Sequence, residues 1–187
     1  MQMRTCVFAL AVVSFPAWAA DYTVRLTPEQ TKIEWTLGAA LHTVHGTFKL
    51  KRGVVQFDPD SGKASGEVVI DLTSGESGNE SRDKDMHKKV LETGRYPEAV
   101  FTPDRIDGKP ALPGTSTAKL HGTFNIHGAA HELTLDVQAK TTTDEAIADL
   151  TFTIPYVQWG MKDPSNFLLR VSKTVQVTIH ATGSLQH

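Results

Sequence analysis

Residues 118–139 read AKLHGTFNIHGAAHELTLDVQA, and apolar or small residues alternate with polar ones along nearly the whole stretch. A period of two places the apolar side chains on one face of a β-strand and the polar ones on the other. The two alternating runs, 118–126 and 133–139, are separated by too few residues to form a crossover helix. The stretch therefore predicts two antiparallel strands that share one apolar face.

The same alternation recurs over most of the chain on either side of this stretch. The further runs are 33–37, 44–50, 68–72, 99–106, 150–154 and 175–181. We therefore predict an all-β fold, an antiparallel β-barrel of about eight strands. A two-sheet sandwich would show the same alternation, and we prefer the barrel because closure leaves no strand edge exposed.

Two segments break the alternating pattern. Residues 79–92 (NESRDKDMHKKVLE) are rich in helix formers and contain neither Gly nor Pro, so we expect one helix packed at an end of the barrel, with Gly94 just past its end. Arg82 and Asp83 are expected to fix this helix, through an ion pair with the barrel wall. Residues 159–166 (WGMKDPSN) contain Gly and Pro and predict a long loop near one barrel mouth.

The first twenty residues have the character of a secretory signal. Arg4 precedes an apolar run from Cys6 to Phe15, and Ala17-Trp18-Ala19 offers small residues at the two positions that signal peptidase reads. The run is about half of the roughly 20 residues that a spanning helix needs, so a membrane anchor is not expected. We predict a signal peptide at 1–19, cleaved after Ala19 with Ala20 as the alternative, and one domain at 20–187 in the periplasm.

Cleavage after Ala19 would remove Cys6, the single cysteine, so the exported domain would depend on its core without disulfides. Without Arg4, 18 of the 19 lysines and arginines remain against 21 acidic residues, a mildly acidic balance. Nucleic-acid binding would require a clustered basic face, and none is present. We therefore expect no nucleic-acid partner.

The sequence contains no marker of catalysis. It has no G-x-S-x-G elbow, no P-loop, no G-x-G-x-x-G and no H-E-x-x-H. His45, His121 and His127 fall on the polar phase of their predicted strands and are expected to face solvent rather than a metal. No pair of carboxylates is marked for acid–base chemistry, so we predict a protein that is not an enzyme and holds no metal.

What remains is the apolar interior, which has two interpretations. The inward-facing set mixes large rings with Gly46, Gly122 and Ala118, and such gaps would leave room for an apolar ligand. Alternatively, the inward residues fill the barrel as a solid core. Under the first interpretation we expect ten residues to line the cavity: Trp35, Phe48, Val68, Ile70, Phe101, Leu120, Phe124, Leu135, Phe152 and Val177.

Several motifs in the chain resemble those of the YceI-like family. They are Gly78-Asn79-x-x-Arg82-Asp83, Arg95-Tyr96-Pro97-x-x-x-Phe101, Gly122-x-Phe124-x-Ile126-His127-Gly128 and Ile33-Glu34-Trp35-Thr36 with Gly46-x-Phe48. The resemblance runs in order over essentially all of residues 20–187. It departs at Val90-Leu91-Glu92-Thr93, where many members carry paired phenylalanines, and residues 159–164 resemble one subgroup only.

The resemblance implies an extended lipocalin-like barrel that binds polyisoprenoids, including quinone-type tails. The ligand would then be an isoprenoid lipid, with no other cofactor, carried in the periplasm with transient contact to a membrane. The alternative is a non-catalytic solid-core stress or interaction module that acts through its surface helix and the loop at Trp159. The sequence leaves the oligomeric state open, and a dimer is compatible with it.

Overall fold

The computed structural model describes residues 22–40, 42–165 and 170–187. The predicted signal peptide and Asn166 of the predicted loop lie outside these residues. The strands are β1 (Tyr22–Leu26), β2 (Lys32–Gly38), β3 (Thr43–Phe57), β4 (Ala64–Glu76), β5 (Glu98–Asp107), β6 (Gly114–Ile126), β7 (Ala129–Thr141), β8 (Glu145–Ile154) and β9 (Val175–Gln186). A 3-10 turn at Pro28–Gln30 and the helix α1 (Glu80–Asp85), which continues as a π-helical turn at Met86–Val90, complete the described elements.

The strands form one antiparallel sheet that closes on itself as a barrel. Strands β3 to β9 pair with their neighbours in chain order, and β1 and β2 both bridge β3 to β9. β2 pairs with the first half of β3, and β1 pairs with its second half. The two short strands therefore share one position in the wall, interrupted at Pro28, which has no N–H to donate to a neighbour. The barrel has eight positions, as the alternation predicted.

The two ends of the barrel differ in their connections. The β3–β4, β5–β6 and β7–β8 turns lie at one end, and the longer β4–β5 and β8–β9 connections lie at the other. The β6–β7 hairpin also closes at this second end. Its two turn residues, His127 and Gly128, have φ of 53° and 76°. Positive φ at both central residues matches the right-handed twist of the flanking strands. We call this second end the upper end.

The helical segment at the upper end is held by hydrogen bonds between residues of the β4–β5 connection. The Asn79 side chain caps α1 by accepting a hydrogen bond from the Arg82 amide at 3.0 Å. Arg82 donates from Nε to the Ser77 hydroxyl at 2.7 Å and from Nη2 to the Ser77 carbonyl at 2.8 Å. Asp83 accepts from the Ser77 amide at 3.1 Å and from its hydroxyl. Arg82 and Asp83 thus anchor the helix through Ser77, and not through the predicted ion pair with the wall.

The end of the helix also differs from the prediction. The left-handed residue after the π-helical turn is Glu92, with φ of 48°, and not Gly94. The amides of Arg95 and Tyr96 both donate to the Glu92 carbonyl, at 2.8 and 2.9 Å, so a tight turn follows directly. Among the described residues, no helix has the length and apolar character that a membrane span requires.

Candidate ligand cavity

A cavity of about 700 Å³ occupies the upper half of the barrel. Its wall is made by apolar side chains along the whole of β2 and from the parts of β3, β4, β5, β6, β8 and β9 nearest the upper end. These wall residues are Ile33, Trp35, Leu37, Val44, Phe48, Ile70, Leu72, Ala99, Phe124, Ile126, Phe152, Ile154, Val175 and Val177. Such a volume with an apolar lining is typical of sites for drug-sized or larger ligands.

Exposed polar residues mark the mouth of this cavity. They come from the helical segment and from the β8–β9 connection, and include Ser81, Asp85, Lys89 and Lys162. Lys89 and Asp85 pair at 2.8 Å across one helical turn, with both side chains more than half exposed. The cavity is therefore apolar inside and polar at its opening.

Six of the ten residues expected to line the cavity do so, namely Trp35, Phe48, Ile70, Phe124, Phe152 and Val177. The other four, Val68, Phe101, Leu120 and Leu135, pack in the hydrophobic core of the barrel and are not among the lining residues. The alternation identified the inward face of each strand, but it carries no information on how far along the barrel the void extends.

The lower limit of the cavity lining can be located on five strands of the barrel. On each of these strands, the residue one inward step below the last lining residue is either buried in the hydrophobic core, as Leu50 and Phe101 are, or half-buried against it. These five residues, which we call the floor, are Leu50, Val68, Phe101, Leu150 and Ile179. Val68 faces Phe101 across β4–β5 and Leu150 faces Ile179 across β8–β9. Leu50, Phe101 and Ile179 also lie opposite lining residues, namely Ile70, Phe124 and Ile33.

The inward glycines do not leave the gaps that we expected. A Cβ at Gly46 would collide with the ring of Trp35 and with the carbonyl oxygen of Glu76. A Cβ at Gly122 would collide with the carbonyl oxygen of Thr102 and would lie 2.9 Å from Cζ of Phe101. The two glycines therefore make space for aromatic rings and for the backbone of neighbouring strands, and neither leaves a gap for a ligand.

Sequence reasoning missed the lining residues that come from irregular segments. Met86, Val90 and Leu91 close the cavity from the helical side, and Tyr156 and Met161 close it from the β8–β9 connection. Leu91, Tyr156 and Met161 are each at most 8% exposed. The sequence does show these residues as apolar positions in otherwise polar segments. Outside a strand, however, no alternation indicates whether such a side chain faces the barrel interior.

Two aromatic side chains hold the β8–β9 connection, Tyr156 by a bond within the connection and Trp159 by a contact with β7. The Tyr156 hydroxyl donates to the Ser172 carbonyl at 2.7 Å, and burial raises the pKa of Tyr156 to about 12. The Trp159 ring stacks on the imidazole of His131, with centroids 4.0 Å apart and planes 6° from parallel. Burial also lowers the pKa of His131, whose Nε2 has no hydrogen-bond partner among the described residues.

The other histidines lie outside the cavity wall, except for His42 at its exposed rim. His45 is exposed as predicted, whereas Nε2 of His127 is buried and lies 3.7 Å from a carboxylate oxygen of Glu92. In the part of the chain that the structure describes, no three His, Cys, Asp or Glu side chains are grouped to hold a metal.

One histidine takes part in a cross-strand network on the outer face. His121 lies 2.8 Å from Asp107 through Nε2 and 2.8 Å from the Thr134 hydroxyl through Nδ1. The order of hydroxyl, imidazole and carboxylate resembles a nucleophile relay, but none of the three residues lines the cavity. The network ties β5, β6 and β7 together on their solvent side.

Comparison with known proteins places this architecture in one family. The model of the YceI-like domain matches residues 24–183. Among solved structures, the BcnA protein of Burkholderia cenocepacia has a TM-score of 0.68 at 17% identity, over 84% of this chain and 98% of that chain. A polyisoprenoid-binding domain from Saccharophagus degradans, implicated in plant cell wall breakdown, has a TM-score of 0.67 at 18% identity, over 87% and 97%.

A YceI protein of Campylobacter jejuni has a TM-score of 0.64 at 19% identity, over 79% of this chain and 88% of that chain. At these identities the structural likeness shows a shared fold. No curated protein sequence matches the chain. The family model covers nearly the whole barrel, from β1 to β9, and the chain therefore belongs to the YceI-like domain family.

Proposed function

We propose that this protein is a periplasmic, non-catalytic binding protein that holds a long isoprenoid lipid in the upper half of its barrel. The observation that carries the proposal is the apolar cavity of about 700 Å³ with a polar mouth. The polyisoprenoid binding of the Saccharophagus degradans domain, which shares the fold, supports an isoprenoid over other apolar ligands. A polyprenyl chain or a quinone-type tail would lie inside, and its polar head would lie near Lys89 and Lys162.

The energetics favour reversible loading. Burying each methylene from water contributes about 0.8 kcal/mol. Twenty buried carbons would contribute about 16 kcal/mol before any ordering cost, close to the ~18–21 kcal/mol limit of noncovalent affinity. A bilayer buries the same chain equally well, so net transfer between bilayer and barrel is small and depends on fit and on contacts at the mouth. The protein would thus exchange lipid with a membrane and not trap it.

The alternative of a solid-core interaction module has support from only part of the barrel. Below the cavity, Leu135 is buried in the hydrophobic core and Leu120 packs half-buried against it, as that alternative requires. The upper half contains a void that a protein acting only through its surface would not need. An empty cavity lowers the stability of a protein, because the side chains around it lack contacts on one side. This cost favours a cavity that serves to bind a ligand.

Export is part of the proposal, supported by the charged, apolar and small-residue order of residues 1–19. It is tested by expressing the full chain in a Gram-negative host and determining the N-terminal residue of the protein in the periplasmic fraction. The expected N-terminus is Ala20. Retention of residues 1–19 in the cytoplasmic fraction would contradict the assignment to the periplasm.

The lipid-binding proposal is tested by native mass spectrometry of the purified protein, followed by solvent extraction and identification of what is released. The matched variants are Val177→Asp, in the cavity wall, and Thr178→Asp, on the exposed outer face of the same strand. A buried carboxylate in the wall would repel an apolar chain, so Val177→Asp should lose the bound mass and Thr178→Asp should retain it. Circular dichroism must show both variants folded.

Wild-type protein that carries no apolar ligand, even after incubation with isoprenoid-containing vesicles, would contradict the proposal. Equal lipid content in the two folded variants would place the lipid elsewhere on the molecule.

A further inference from the structure

The upper end of the barrel carries an excess of positive charge, although the formal net charge of the whole chain is −2. Its two long connections, residues 77–97 and 155–174, contain eight lysines and arginines against five aspartates and glutamates. The three turns at the opposite end, residues 58–63, 108–113 and 142–144, contain two against three. The excess is not visible as one basic stretch in the sequence, because the cations come from two connections that the fold brings together.

The helical segment contributes two lysines that have no internal role. Lys84 and Lys88 lie about one turn apart, are exposed, and are not among the cavity-lining residues. Lys89 pairs with Asp85 at 2.8 Å, whereas neither Lys84 nor Lys88 has a carboxylate partner among the described residues. Like charges one turn apart repel each other and weaken a helix, and an anionic partner would remove this repulsion.

The β8–β9 connection contributes three more cations around the same mouth. Lys162 lines the mouth, and Arg170 and Lys173 are exposed beside it. Arg170 is held next to the end of β2, because its carbonyl accepts a hydrogen bond from the Ala40 amide at 2.9 Å. The residue that follows it, Val171, lines the cavity. The basic side chains of both connections therefore surround the opening through which a ligand enters.

We propose that the upper end of the barrel is a docking surface for a bilayer rich in anionic phospholipids, and that its cations contact the headgroups. The cations that form it are Lys84, Lys88, Lys162, Arg170 and Lys173. In this orientation the mouth of the cavity faces the bilayer, so an apolar chain passes between the two without crossing water. The inference goes beyond the proposed function, since docking does not depend on what the cavity holds.

The strength of docking follows from the number of cations near the headgroups. Each lysine or arginine close to an anionic surface strengthens the attraction by about fivefold at low salt. Three of them together therefore contribute about a hundredfold. Salt should weaken the attraction steeply, because the screening length falls from about 10 Å at 0.1 M to about 3 Å at 1 M.

The test is flotation of the purified protein with vesicles that contain no isoprenoid. One set is phosphatidylcholine alone, and the other contains about one third phosphatidylglycerol. At low salt the protein should partition onto the anionic vesicles at least a hundredfold more strongly than onto the neutral ones. This preference should be lost at about 1 M salt.

Two triple variants remove the same charge from opposite ends, and all six of their lysines are exposed. The upper variant combines Lys84→Gln, Lys88→Gln and Lys173→Gln, and the control combines Lys63→Gln, Lys109→Gln and Lys140→Gln. The upper variant should lose about a hundredfold in partition onto anionic vesicles, and the control should change by about threefold or less. Lys88→Gln alone should lose about fivefold, which gives a second measurement should the triple variant misfold.

Equal partition of the wild-type protein onto the two kinds of vesicle would overturn the docking surface. An upper variant that floats like the wild type would also overturn it. Equal losses in the upper variant and the control would show that net charge, and not the upper end, causes the attraction. Lipid binding in the cavity is measured separately by native mass spectrometry, so failure of docking and failure of the proposed function are distinguishable.

Discussion

Two leucines provide a matched test of whether the barrel contains a cavity at its upper end and a packed core below it. Leu72 lies in the cavity wall and Leu50 lies in the floor, and they are 3% and 4% exposed. Truncation of either to alanine removes three carbons, which costs about 2.4 kcal/mol in lost burial at ~0.8 kcal/mol each. In the floor, truncation also opens about 90 Å³ of new void, which costs about 2 kcal/mol more at ~24 cal/mol per Å³.

We therefore expect Leu50→Ala to lower the free energy of unfolding by about 4.5 kcal/mol and Leu72→Ala by about 2.5 kcal/mol. The Leu72 side chain already borders empty space, so its neighbours on that side have no contacts to lose. The assay is urea unfolding of the delipidated protein, monitored by tryptophan fluorescence, with the slopes compared to verify that both variants unfold from the same state. Equal losses, or a larger loss at Leu72, would refute the division of the barrel into two halves.

Three further predictions concern positions outside the cavity wall. Burial lowers the pKa of His131 below 6.5, its ordinary value. The unfolded chain therefore binds more protons than the folded protein, and the free energy of unfolding falls as the pH drops below 6.5. In the His131→Phe variant, unfolding measured as a function of pH should not show this fall. A stability difference between these two proteins that stays constant from pH 5 to 8 would contradict it. Gly46→Ala should cost about 3 kcal/mol or more, since its Cβ would meet a backbone carbonyl, whereas Gly94→Ala, with open space around it, should change the melting temperature little; similar losses in both would disprove the packing argument. Arg82→Lys should lose both hydrogen bonds to Ser77 and speed amide exchange in residues 80–90 by about tenfold, while unchanged exchange would show that these bonds do not hold the helix.

The barrel could be predicted because its signal is repeated and local. Alternation in runs such as 118–126 determines which face each side chain takes, and short turns require antiparallel neighbours. The eight positions follow from the number of such runs. The splitting of one position between β1 and β2 did not follow, because a proline in a short connection gives no indication that the next strand continues along the same line.

The sequence predicted which side chains face the barrel interior, but not how far along the barrel the cavity extends. Phe101 and Phe124 have the same inward phase, yet one lies in the floor and the other in the wall. The two residues are paired across β5–β6, so neither phase nor register separates them, and the difference depends on which side chains meet across the barrel interior. Gly46 and Gly122 were taken as gaps for the same reason, since the rings that cover them come from neighbouring strands. Met161 was missed because a loop has no periodicity to assign its direction.

The most direct test of lipid binding inside the barrel is a crystal structure of the protein loaded with a 20-carbon linear prenol. We expect one continuous chain of density that runs from the mouth at Lys89 and Lys162 into the barrel along Trp35 and Phe152. An upper half filled by the protein's own side chains, or a prenol bound only on the outer surface, would contradict it.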